Sequence, residues 1–61
     1  MNTYILWAWT YIDGEYRSWK KTIKRKNNIT KTQEDRLLGT FTCNIMSRYN
    51  CSLGLWGCDK I

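Results

Sequence analysis

The chain has 61 residues, ten Lys and Arg against five Asp and Glu, no His, and a net charge of +5. A chain this short makes one domain and buries only about 60% of the surface that its unfolded form exposes, so it often needs a staple or a partner. A Cys nucleophile normally wants a base such as His, and the five carboxylates are scattered; the composition points away from an enzyme and, through its charge, toward anionic partners.

The stretch Thr3 to Ile23 organises the rest. It holds three of the four Trp and three of the four Tyr, in two β-rich runs either side of Asp13-Gly14, the strongest short-range hairpin signal. Tyr4 to Ile12 is predicted as the first strand and Tyr16 to Lys24 as the second. Register decides which side chains share a face. A two-residue loop pairs Ile12 with Glu15 and puts Trp7 and Trp9 opposite Trp19. A three-residue loop, with Gly14 left-handed in a bulge, gathers Trp7, Trp9 and Trp19 with Ile5 and Ile23. We adopt the second register because it builds one continuous aromatic face for the core. The other face, with Tyr4, Leu6, Ala8, Thr10, Ser18, Lys20 and Lys24, then meets solvent, as in a sheet covered on one side.

The second strand runs into Lys20-Lys21-Thr22-Ile23-Lys24-Arg25-Lys26, five of whose seven residues are cationic. While extended, Lys20, Lys24 and Lys26 point one way and Lys21 and Arg25 the other. Such lysines can simply protect an edge strand from aggregation. With Arg17 they also form the candidate partner-binding set: Arg17, Lys20, Lys21, Lys24, Arg25 and Lys26.

Thr30 and Gln33 have capping-box spacing, and Glu34 and Asp35 suit a helix N-terminus. Leu38, Phe41, Ile45 and Tyr49 recur at helical spacing, with Leu37 alongside. The reading is a helix from about Lys31 to Ser47, laid over the Trp face. Gly39 costs about 1 kcal/mol in a helix. The alternative ends a short helix at Leu38 and makes Thr40 to Met46 a strand. Arg48 to Ser52 is a turn, Leu53 to Trp56 a final short strand, and Cys58 to Ile61 a tail. Gly54 and Gly57 suggest close backbone approach.

Cys43, Cys51 and Cys58 are odd in number, so they cannot all pair within the chain. Residues 1–12 lack a basic leader and a cleavage site, and no apolar run is long enough to span a membrane. The expectation is reduced thiols in a cytosolic setting, the cysteines serving as small buried side chains. Their spacings of seven and six intervening residues, without His, do not match structural zinc; neither metal nor cofactor is expected.

The fold class expected is α+β, a single domain of order β-β-α-β. From YILWAWTYIDGEY to SLGLW this layout resembles small bacteriophage host-takeover and anti-defence inhibitors: antitoxin-like, polymerase-inhibitor-like and anti-CRISPR-like proteins. The resemblance is one of size and element order, and no motif residue carries over. It implies a non-catalytic inhibitor in the host cytoplasm, docked on a larger host protein with an acidic surface through the basic edge. Several such inhibitors are acidic mimics of nucleic acid, whereas this chain is basic. The alternative function is a small basic module binding RNA or DNA; no membrane partner is expected, and a homo-oligomer is compatible with either reading.

Overall fold

The computed structural model describes every residue, Met1–Ile61. Four elements follow in order: β1 (Asn2–Ile12), β2 (Glu15–Arg25), α1 (Lys31–Tyr49) and β3 (Leu55–Lys60). The strands form one antiparallel sheet of order β2-β1-β3. The protein is therefore a small α+β domain with its first strand at the centre. Strands of eleven residues, at about 3.3 Å per residue, make the molecule long and narrow, 40 × 18 × 15 Å.

The turn corrects the predicted register. Asp13 and Gly14 both have positive φ, 52° and 81°, as a two-residue type I′ turn requires, and Ile12 pairs with Glu15. The twist of this turn matches that of the flanking strands, which an added bulge residue is not needed to achieve. The three-residue loop and its single aromatic face are thereby overturned. Trp9 pairs with Ser18 and Trp7 with Lys20, while Trp19 sits across from Ala8.

The core consequently lies on the face expected to meet water. Tyr4, Leu6, Ala8 and Thr10 of β1 are buried, as are Ile23 of β2 and Thr42 and Ile45 of α1. Leu6 and Ala8 are both only 1% exposed. The helix covers this face rather than that of Trp7 and Trp9. The buried hydroxyls are partnered: Thr10 Oγ1 donates to the Ser52 carbonyl at 2.9 Å and Thr42 Oγ1 to the Leu38 carbonyl at 2.8 Å. The Tyr4 hydroxyl donates to Asn28 Oδ1 at 3.3 Å and accepts from the Ile29 N–H at 3.1 Å.

The long helix forms and the short-helix alternative does not. Thr30 and Gln33 complete the capping box, with bonds of 3.2 and 2.9 Å, and Asn50 closes the other end in the left-handed conformation. Gly39 is accommodated within the helix. The last strand begins and ends later than predicted, so the expected tail of Cys58 to Lys60 pairs with Leu6, Ile5 and Tyr4. Gly57 permits this pairing: a Cβ there would stand 2.6 Å from Trp7 Cζ2, so only a glycine leaves room for the indole against β3 at this point. Cys43 is exposed and Cys51 and Cys58 half-buried, all three free, so Cys43 departs from the expected buried role. No helix is long and apolar enough to cross a membrane.

Candidate binding surfaces on the two faces of the sheet

Alternation along β2 divides the basic run between two surfaces. Lys20 and Lys24 stand opposite Trp7 and Thr3 on the open face. Lys21 and Arg25 stand opposite Leu6 and Asn2, with Lys21 on the helix side beside Ile23. Arg17 is taken up by Glu15, Nη2 to Oε2 2.8 Å. Lys26 follows the strand end and lines a second hollow with Arg25 and Arg36. The six predicted site residues thus do not make one patch.

The open face carries the aromatics that the helix leaves uncovered. Trp9 stacks on Tyr16 across the strands, with centroids 6.1 Å apart and planes at 30°. Tyr11 meets both rings edge-on, at 6.1 and 5.9 Å. Tyr11 and Tyr16 are 64% and 57% exposed. Trp7 continues the row beside Lys20; its indole Nε1 is buried without an acceptor where the ring lies on Gly57. This surface therefore runs from a stacked aromatic end near the turn to a cationic end at Lys20 and Lys24.

The helix side holds a different feature. Cα atoms of α1 come within 8 Å of β1 and β3 but of no residue of β2, because one helix is about two strand spacings wide. An open groove of about 730 Å³ remains between α1 and β2. Its apolar part includes Trp19, Ile23, Phe41 and Ile45, and Lys21, Arg25 and Arg48 add three cations with no acid among the lining residues. Tyr49 tilts against Trp19 at 5.2 Å. None of these three cations has a carboxylate within 4.0 Å: the salt bridges are those of Arg17 with Glu15 and of Lys31 with Glu34 and Asp35.

No family model, curated protein or solved structure matches the chain. The chemistry of the two surfaces must therefore speak for itself. Of the carboxylates, Glu34 and Asp35 hold Lys31, whose ammonium their hydrogen bonding and charge keep above its usual range. No group of three or more Cys, Asp or Glu side chains stands close enough to hold a metal ion. The thiol of Cys58 is pushed up by burial and by the nearby Glu34 carboxylate, which disfavours the nucleophilic thiolate.

Sequence reasoning missed Tyr11 and Tyr16 as surface residues and did not name Arg36 or Arg48 as site residues, while Tyr49 figured only in the helical stripe. The signal for the first pair was present: Asp-Gly is the preferred dipeptide of the two-residue I′ loop. Taking it at face value puts Trp9 and Tyr16 side by side. For Arg48 and Tyr49 the signal was weaker, since the predicted helix stopped at Ser47 and left both in a turn.

Proposed function

We propose that this is a non-catalytic binding protein whose open sheet face takes single-stranded nucleic acid. The observation that carries the reading is the Trp9–Tyr11–Tyr16 cluster outside the helix's cover, with Tyr11 and Tyr16 exposed and Trp9 half-buried, on the same face as the unpaired Lys20 and, farther along β2, Lys24. Every base has a π face, so stacking on aromatics accepts any sequence, while lysines follow the phosphates. Lys20 and Lys24 lie four residues apart on an extended strand, about 13 Å, which suits contact with separate phosphates. Tyr11 and Tyr16 are exposed on this face, so their rings are available for stacking.

The test is titration of labelled single-stranded and duplex oligonucleotides at two salt concentrations. Single strands should bind more tightly than duplex. Trp9→Ala and Tyr16→Ala should each weaken binding about tenfold, since stacking is worth about 1–3 kcal/mol per base. Two neutralised phosphates on a single strand give a log–log salt slope of about −1.4. Single-strand binding unchanged by both substitutions, or concentration-dependent dimerisation through the aromatic face in place of binding, would overturn the reading.

A second reading is favoured by a separate observation, the acid-free cationic groove on the helix side. It is the small phage-type inhibitor that docks on an acidic surface of a larger host protein through the basic strand. Capture from host lysate before and after nuclease treatment tests it: a protein that stays bound after nuclease supports docking, and loss of every species counts against it.

A further inference from the structure

We infer that the groove between α1 and β2 is a seat for one acidic amphipathic helix of a partner protein. The inference rests on the second, protein-docking reading and names the partner's chemistry.

The space comes first. Helices pack with axes about 8–10 Å apart, and strands are about 4.8 Å apart. A helix lying over β1 and β3, as α1 does, leaves the strip above β2 free for one more helix alongside it. The half-buried Trp19 of β2 floors that strip and the half-buried Leu37 and Phe41 of α1 wall it, above the buried Ile23 and Ile45. An amphipathic helix would bury its apolar stripe on these residues, as helix-in-groove ligands do. The charge comes second. Lys21, Arg25 and Arg48 line the same groove, and none has a carboxylate within 4.0 Å. A helix with Glu or Asp bordering its apolar stripe supplies those carboxylates, whereas a basic helix of equal shape meets repulsion.

The alternative occupant is the phosphate backbone of a nucleic acid, for which the three cations are also suited. The favoured occupant is the helix because the floor between the cations is apolar and is flanked by a wall of helical side chains. Phosphates gain nothing from the half-buried Leu37 and Phe41.

The probe is a synthetic amphipathic peptide with a Leu stripe bordered by Glu. Its companions are the same peptide with Lys in place of Glu, the Glu peptide broken by a central Pro, and a single-stranded oligonucleotide. Binding is read by calorimetry and by amide shifts of the labelled protein. The Glu peptide should shift Lys21, Ile23, Phe41 and Ile45 and leave Trp9 and Tyr16 unmoved. Lys21→Glu and Arg48→Glu should each weaken it about tenfold or more, the equivalent of about 1.4 kcal/mol. Both side chains are exposed, so both variants should keep the wild-type circular dichroism. Thr40→Trp, which adds bulk from the helix wall, gives an independent block without changing charge.

Equal binding by the Pro-broken peptide overturns the helical seat while leaving acidic docking in place. Failure of every peptide to bind overturns both. Oligonucleotide shifts centred on Lys21, Arg25 and Arg48, in place of peptide shifts, assign the groove to nucleic acid and overturn the inference.

Discussion

Leu6 and Trp9 belong to the same strand, three residues apart, yet their side chains do different work. Leu6 is 1% exposed beneath the helix, and Leu→Ala in such a site costs about 2–5 kcal/mol. That is comparable to all the stability a single core gives a domain of this size, about 3–5 kcal/mol. Leu6→Ala should therefore unfold the protein or bring it near its urea midpoint at room temperature. Trp9 is larger but stands on the open face, so Trp9→Ala should leave a cooperative transition at clearly higher urea. A reversal of that order, measured by urea denaturation of the two variants, would mean that the Trp face is the core after all. Cys58 supplies a second check at this scale. Burial, then the Glu34 carboxylate, raise its pKa, so the folded protein holds that proton more tightly than the unfolded chain. The resulting stability is complete below the ordinary thiol pKa of about 8.5 and is lost as pH rises through the higher folded value. Urea midpoints should fall more steeply between neutral and alkaline pH in wild type than in Cys58→Ala. Iodoacetamide should reach the exposed Cys43 before Cys58; identical slopes and equal labelling rates would remove the role of burial.

At the scale of elements, the helix shows what local sequence can and cannot say. Thr30 and Gln33 announce its start through side-chain chemistry that acts within four residues, and the capping box is where it was expected. Thr30→Ala should cost about 0.5–2 kcal/mol. Gly39→Ala should return about 1 kcal/mol, because a Cβ there meets nothing within 4 Å. Thermal melts of the two variants, displaced in opposite directions from wild type, are the expected result; a destabilising Gly39→Ala would point to a contact on that face. The strands are less transparent. Period-2 alternation in β1 was legible, but both of its faces contain large side chains, so hydrophobicity alone could not name the inner one. The deciding fact was the turn, where the φ values of Asp13 and Gly14 fix Ile12 against Glu15. Misjudging one loop residue exchanged core and surface. The extent of β3 was hidden for another reason. Its sequence is not strongly strand-like, and Leu55–Lys60 is held by pairing to β1 and by the fit of Trp7 over Gly57.

For the whole molecule, element order and fold class were legible because each element is signalled within a few residues of itself. The candidate surfaces were not, because they depend on where one helix lies across three strands. The cations of β2 were found in the sequence, but their division between an aromatic platform and an apolar groove follows from pairing and from the lateral position of α1. The molecule thus presents two chemically different faces: stacked rings with lysines on one, and an apolar trough bordered by cations on the other.

The order β2-β1-β3 also sets a timetable for synthesis. The strand that ends in the middle of the sheet is made first, and its second neighbour is Leu55–Lys60. Between those moments a nascent chain can close the hairpin, which needs only local contacts and forms within microseconds. Translation at about 5–20 residues per second then leaves the far edge of β1 bare for seconds, its N–H and C=O groups open to any passing strand. A chain cut short before residue 55 would keep the hairpin and the helix but lose the strand that seals that edge, and such fragments should be prone to aggregate.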